Sequence, residues 1–195
     1  MIHNFYTDGA ATMRKDENGN YIREAGGCAF ALFNEKDELV YQHSGHADKT
    51  TNQRMELMAI FDALSYYIDK KLHSGDIVNI YSDSAYCINI FTQWVEGWRN
   101  NGWTRKGNKP IENLDIIKEI YTRIVNLKNH FVTVNFIKVA GHSNDEHNNL
   151  VDALAVAAKA GNTRGLRRYV GVIDDAIEKS EYQEFVEAFL NRPIE

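Results

Sequence analysis

Apolar positions along the chain recur at two different spacings, and the changes of spacing mark its elements. Residues 1–8 and 26–34 (Gly-Gly-Cys-Ala-Phe-Ala-Leu-Phe-Asn) read as strands, and Glu38 to Gly45 as a third after the Asn-Glu-Lys-Asp turn at 34–37. From Thr51 to Leu72 the apolar residues Met58, Phe61, Leu64 or Ser65, Ile68 and Leu72 recur every three to four positions, the period of an amphipathic helix that Gly75 ends. Ile77 to Ser82 is a short apolar strand, and Asp83 or Ser84 is placed to cap a following helix. Ile111, Leu114, Ile117, Ile120, Ile124 and Leu127 return to helical spacing over 111–127. Phe131 to Val139 alternates as a strand, Gly141-His142 makes a turn, and Ser143-x-x-Glu146 has capping-box spacing for a helix to about Lys159.

Three consecutive strands followed by strands separated by helices predict an α/β fold. Its sheet is five-stranded and mixed, with three antiparallel strands joined to a parallel βαβ layer and helices on both faces. This layout ends near residue 160. From Gly161 the chain changes character: Arg164, Arg167 and Arg168 precede an acidic stretch carrying Ile173, Ile177, Phe185, Phe189 and Leu190. The division is therefore a catalytic-sized domain over 1–160 and a helical extension over 161–195. The extension is expected to pack on the domain or, through its arginines, to meet a protein or nucleic-acid partner.

Composition narrows the class. At 195 residues, with 44% hydrophobic and 25% charged residues, the chain can bury a proper core and is neither disordered nor fibrous. Two cysteines make no disulfide framework, so Cys28 and Cys87 read as reduced core thiols of a cytoplasmic protein. Neither a secretory leader nor a membrane span is expected. The net charge of −5 argues against coating nucleic acid by bulk electrostatics, yet Trp94 to Lys109 holds Arg99, Arg105, Lys106 and Lys109 against Glu96 alone.

Four acids stand at predicted junctions: Asp8 at a strand, Glu56 on the first turns of a helix, Asp83 at a strand end and Asp152 within two turns of a helix start. Singly, each has an ordinary explanation as a solvated carboxylate, a cap, or an acid favoured by a helix N-terminus. Together they are more informative, because strand ends and helix starts converge on one edge of an α/β sheet. Four carboxylates without basic partners repel one another. A hard divalent cation relieves that repulsion, and an oxygen-only ligand set suits Mg²⁺ or Mn²⁺. Two such ions suit phosphodiester hydrolysis.

These residues give the chain a resemblance to type 1 ribonucleases H, enzymes that cut the RNA of RNA/DNA hybrids. It is carried, in family order, by Tyr6-Thr7-Asp8-Gly9-Ala10, by Thr51-Asn52-Gln53-Arg54-Met55-Glu56-Leu57-Met58-Ala59, by Ser82-Asp83-Ser84, by Trp94, Trp98 and Trp103, and by Val139-Ala140-Gly141-His142 with Asp152-Ala153-Leu154-Ala155. The resemblance implies a ribonuclease H-like fold and two Mg²⁺ ions, or Mn²⁺, on Asp8, Glu56, Asp83 and Asp152, with Asp8 as the bridge. It implies proton transfer or product release by His142, a residue type that titrates near neutrality.

It also implies substrate contacts. Asn52 and Gln53 would sense the 2′-hydroxyl that distinguishes RNA from DNA; Gly9 would bring backbone near the minor groove, and Thr51 would meet a phosphate of the DNA strand or cap its helix. Trp94, Trp98 and Trp103, with Arg99, Arg105, Lys106 and Lys109, match a basic handle that grips the DNA strand. The chain departs from the pattern in a long loop over 10–27, in Ala85 where some relatives place a glutamine, and in the lack of a hybrid-binding domain ahead of Asp8. The implied activity is cleavage to 5′-phosphate and 3′-hydroxyl ends by a monomer in the cytoplasm. Two other readings stay open: another nuclease of the same superfold, and a hybrid-binding module without catalysis.

Overall fold

In the computed structural model, which describes residues 1–141 and 145–162 together with the backbone of 168–169, the first three strands form an antiparallel meander. They are β1 (Ile2–Lys15), β2 (Tyr21–Phe33) and β3 (Leu39–Ala47). Side-chain oxygens make both turns: the Asp16 carboxylate accepts from the amides of Asn18 and Asn20, and the Asn34 carbonyl from those of Lys36 and Glu38. The hairpin corrects the expected loop over 10–27. Strand pairing runs on from Ala10↔Gly27 to Lys15↔Tyr21. The alternation was invisible in sequence because residues 12–15 are exposed and no core selects apolar residues there.

The remaining elements are α1 (Asn52–Lys70), β4 (Ile77–Ser82), α2 (Ala85–Asn89), a π-helical turn (Ile90–Trp94), α3 (Val95–Asn100), α4 (Leu114–Asn129), β5 (Thr133–Lys138) and α5 (Glu146–Lys159). The sheet order β5-β4-β1-β2-β3, with β4 parallel to β1 and to β5, is the predicted mixed arrangement. A two-residue strand, β6 (Arg168–Tyr169), lies parallel to β3 at His46 and Ala47. The rest of the extension predicted over 161–195 lies outside the described residues. No helix among those residues is long and apolar enough to cross a membrane.

Caps fix the helix starts. Thr51 accepts from the amide of Arg54, Ser84 (not Asp83) from that of Cys87, and Asp145 from those of His147 and Asn148. Asp145 is thus the cap of α5, in place of the Ser143 expected from capping-box spacing. It begins the helix two residues later.

Helices cover both faces. On one, α1 and α4 bury Phe5, Phe30, Leu32, Ile60, Leu64, Ile80, Ile117 and Ile120 in the main core. On the other, α5 sets Leu154 and Ala155 against Ala29, and Val151 against Ala31 and Phe33. Glycines set the spacing of these layers. A Cβ on Gly9 would fall 2.2 Å from the backbone nitrogen of Glu56, and one on Gly27 would fall 2.2 Å from the carbonyl oxygen of Ala155. Main chain meets main chain at both points.

Gly27→Val is expected to push α5 off the sheet. Overpacking against backbone costs roughly 1–3 kcal/mol, so chemical denaturation should show a loss of that size. Activity of the still-folded fraction should fall further, because Asp152 moves with α5.

Candidate active site

Strand register brings the first two acids together. In the parallel pair β1/β4, Thr7 lies opposite Ser82, so Asp8, midway along β1, and Asp83, just past the carboxyl end of β4, follow at the same level. The third arrives with α1, which the absent side chain of Gly9 admits to contact at Met55 and Glu56. The fourth rides on α5, whose approach at Gly27 sets Asp152 three residues before the contact at Ala155. Beyond β5, Gly141 lies against the same edge: a Cβ there would stand 2.8 Å from Oδ2 of Asp83. His142, the next residue, lies outside the described residues.

Asp8 is 7% exposed. Burial pushes its carboxyl up to about 7, with Asp83, Asp152 and Glu56 adding repulsion, while the amide of Gly9, donating to Oδ1 at 2.7 Å, opposes the shift. Burial likewise raises Glu56, and Asp83 adds to it. Glu56 is braced by two groups that sequence reasoning missed. The Ser84 hydroxyl donates to its Oε2, and the Cys87 thiol approaches the same oxygen at 3.8 Å. The Ser-Asp-Ser motif signalled the first; nothing in the sequence signalled the second.

No three His, Cys, Asp or Glu side chains among the described residues are already gathered tightly enough to enclose an ion. The chemistry of the donors nevertheless fits a hard cation. They are oxygen ligands at one sheet edge, and three of them destabilise the charge on the fourth.

The predicted substrate contacts flank this edge. Thr51 is engaged as the cap of α1. Asn52 is tied down through its side-chain carbonyl, which accepts from the amide of Ala11 in β1. Gln53 lines a cavity of about 470 Å³ with Tyr86, Trp94, Trp98, Arg105 and Glu112. Arg54 makes a two-pronged ion pair with Asp115 that fastens the start of α1 to the start of α4, a contact without any sequence signature.

In the handle, Trp94 and Trp98 face each other at 5.7 Å between ring centres, and Lys106 lines a second hollow beside Trp98. Trp103 does not join them. Its backbone is left-handed (φ 62°), and its ring packs edge-on to Tyr121 under the ammonium of Lys118. Arg99 pairs with Glu96, and the guanidinium of Arg105 donates to the carbonyl of Pro110. Lys109 closes the loop by backbone pairing with Arg105. Cys28 and Cys87 are both free thiols, as expected. His147, which carried no predicted role, packs between Tyr6 and Phe33 and approaches Asp37 at 3.2 Å.

Because Asp8 holds its proton more tightly folded than unfolded, its contribution to stability is full below about pH 4 and is lost as pH rises to about 7. Asp8→Asn keeps the acceptor for Gly9 and cannot ionise. Without divalent cations it should therefore be more stable than the parent at pH 8 and no different at pH 3.5, as measured by denaturant titration at both values.

Known proteins bear on this arrangement. The family model for RNase H matches residues 2–160. The ribonuclease H of Thermoanaerobacter sp. (strain X514) is 41% identical over 162 residues, covering 82% of this chain and 90% of its own. That of Prosthecochloris aestuarii is 40% identical over 158 residues, covering 80% and 94%. Among solved structures, LC9-RNase H1, described as a type 1 RNase H with the type 2 active-site motif, superposes with a TM-score of 0.65 at 25% identity, covering 98% of this chain and 85% of its own. The PFV RNase H domain, at 23% identity and a TM-score of 0.63, shares the fold, covering 82% and 94%. The chain belongs to the ribonuclease H family and is an endoribonuclease.

Proposed function

We propose that the enzyme hydrolyses the RNA strand of RNA/DNA hybrids, with Asp8, Glu56, Asp83 and Asp152 holding two Mg²⁺ or Mn²⁺ ions, and leaves 5′-phosphate and 3′-hydroxyl ends. The observation that carries this reading is the convergence of the four acids where α1, α5, β1 and β4 meet: Asp8 is buried there, and beyond that burial Asp83, Asp152 and Glu56 each add repulsion to its charge. When bound, the ions supply an activated water and charge neutralisation at the leaving oxygen. The chain's own work is to hold the acids in place. Ser84 and Cys87 orient Glu56, and the Gly9 amide orients Asp8. His142 is the proposed group for moving a proton near neutrality.

Selection of RNA follows from the state of Asn52. Its carbonyl oxygen accepts from Ala11, which fixes the side chain while its amide hydrogens stay available to a partner. A 2′-hydroxyl oxygen accepts such a hydrogen bond, and the deoxyribose carbon cannot. Gly9, by admitting the start of α1 against β1, sets Thr51 and Gln53 beside Asn52, and is the point at which strand backbone would come nearest the minor groove. The cavity between Gln53, Trp94, Trp98 and Arg105, with Arg99, Lys106 and Lys109 around the handle, suits the DNA strand. Trp103 supports that handle from behind through Tyr121. We read the enzyme as a monomer in the cytoplasm.

End-labelled RNA/DNA hybrid, double-stranded RNA and double-stranded DNA, each with Mg²⁺ or with EDTA, test the proposal. Cleavage of the hybrid's RNA alone, dependent on Mg²⁺, is the expected result. Asp8→Asn should cut at least 10³-fold more slowly while its hybrid affinity stays within about threefold, since the handle and the 2′-hydroxyl readers are separate from the acids. Cleavage of all three duplexes would remove Asn52 and Gln53 as readers. Hybrid binding by the parent without turnover would leave only a binding module.

A further inference from the structure

The β1–β2 hairpin continues beyond the catalytic edge. Lys15 lies seven residues past Asp8 along an extended strand, roughly 23 Å at the usual rise. Side chains alternate along β1, so Gly9, Ala11, Met13 and Lys15 share the face on which α1 lies. Across the hairpin, Met13 is paired with Arg23 and Lys15 with Tyr21; the register step between Ala11 and Met13 places an extra β2 residue below these pairs. All four are exposed, and the ammonium of Lys15 stands 5.1 Å over the ring of Tyr21.

This face carries two cations, an aromatic ring and a thioether, and no acid. No carboxylate among the described residues pairs with Lys15 or Arg23. The third cation of the arm, Arg14, occupies the opposite face and is neutralised by Glu24. The segregation continues toward the active site, because the base of the arm is bonded to the start of α1. Ala11 donates to Asn52, and the amide of Thr50 donates to the carbonyl of Glu24 at 3.0 Å. Asn52 is thus attached to the arm, while its neighbour Gln53 lines the cavity of the handle.

We propose that the Lys15–Arg23 face of the hairpin is a second phosphate-binding surface for the nucleic-acid duplex, acting with the handle to hold it across the start of α1. This rests on the nucleic-acid substrate proposed above. Lys15 and Arg23 meet phosphates, and Tyr21 and Met13 lie against sugar. Each phosphate contact releases condensed counterions and makes binding salt-dependent, with a slope of about 0.9 in log–log terms per contact on B-DNA.

The test uses the full chain and a fluorescently labelled RNA/DNA hybrid, with Kd from anisotropy in EDTA at 50 to 200 mM KCl and kcat in Mg²⁺. Lys15→Gln with Arg23→Gln should weaken binding about three- to tenfold at 100 mM KCl and leave kcat within twofold. With two contacts gone, the rise in Kd between 50 and 200 mM should shrink by about tenfold. Arg14→Gln, which removes one charge from the other face, should match the parent. A salt slope unchanged in the double variant, equal weakening in Arg14→Gln, or no hybrid binding by the parent would overturn the proposal. Arm-dependent binding without any cleavage would instead count against the hydrolytic reading alone, and cleavage with arm-independent binding against the arm alone.

Discussion

Four carboxylates must be held at one edge of the sheet, where they repel one another, and nothing in their own interactions keeps them there. Asp8 shows the cost, since its proton is retained to about pH 7 by burial and by the other three acids. The opposing force comes from packing at a distance. The α1 core fixes Glu56, the smaller α5 core fixes Asp152, and the parallel ladder of β1 and β4 fixes Asp8 beside Asp83.

Those distances are set by absence. Gly9 and Gly27 face opposite sides of the sheet, and each lets a helix backbone reach strand backbone where any side chain would intervene. Gly141 repeats the device on a smaller scale by leaving room for the carboxylate of Asp83. A side chain at these positions would force the helix backbones away from the strands and carry Glu56 and Asp152 with them.

Much of this was legible in the sequence. Period-3.6 and alternating runs located α1, α4, α5 and the buried parts of the sheet, and the strand Ile77–Ser82 was read to the residue, because burial on a defined face leaves a pattern. The four acids were legible for a different reason: their motifs sit in or just past a strand (Asp8, Asp83) and near helix starts (Glu56, Asp152). What escaped was whatever no core selects. The outer hairpin has polar residues on both faces, so it read as a loop. Trp103 has the composition of a handle residue and packs as a buttress on Tyr121. The pair Arg54–Asp115 joins residues 61 positions apart, and the contact of Cys87 with Glu56 depends on how α2 turns after Ser84. Neither leaves a local trace.

Cys87 carries a consequence for durability. A thiol reacts with oxidants and alkylating agents as its thiolate. Here burial, reinforced by the negative charge of Glu56, drives the thiol far above its ordinary range. The carboxylate that the cysteine helps to orient therefore suppresses the cysteine's own reactivity. Sulfur thus stands 3.8 Å from the carboxylate of Glu56 as a thiol, the form that oxidants and alkylating agents attack slowly.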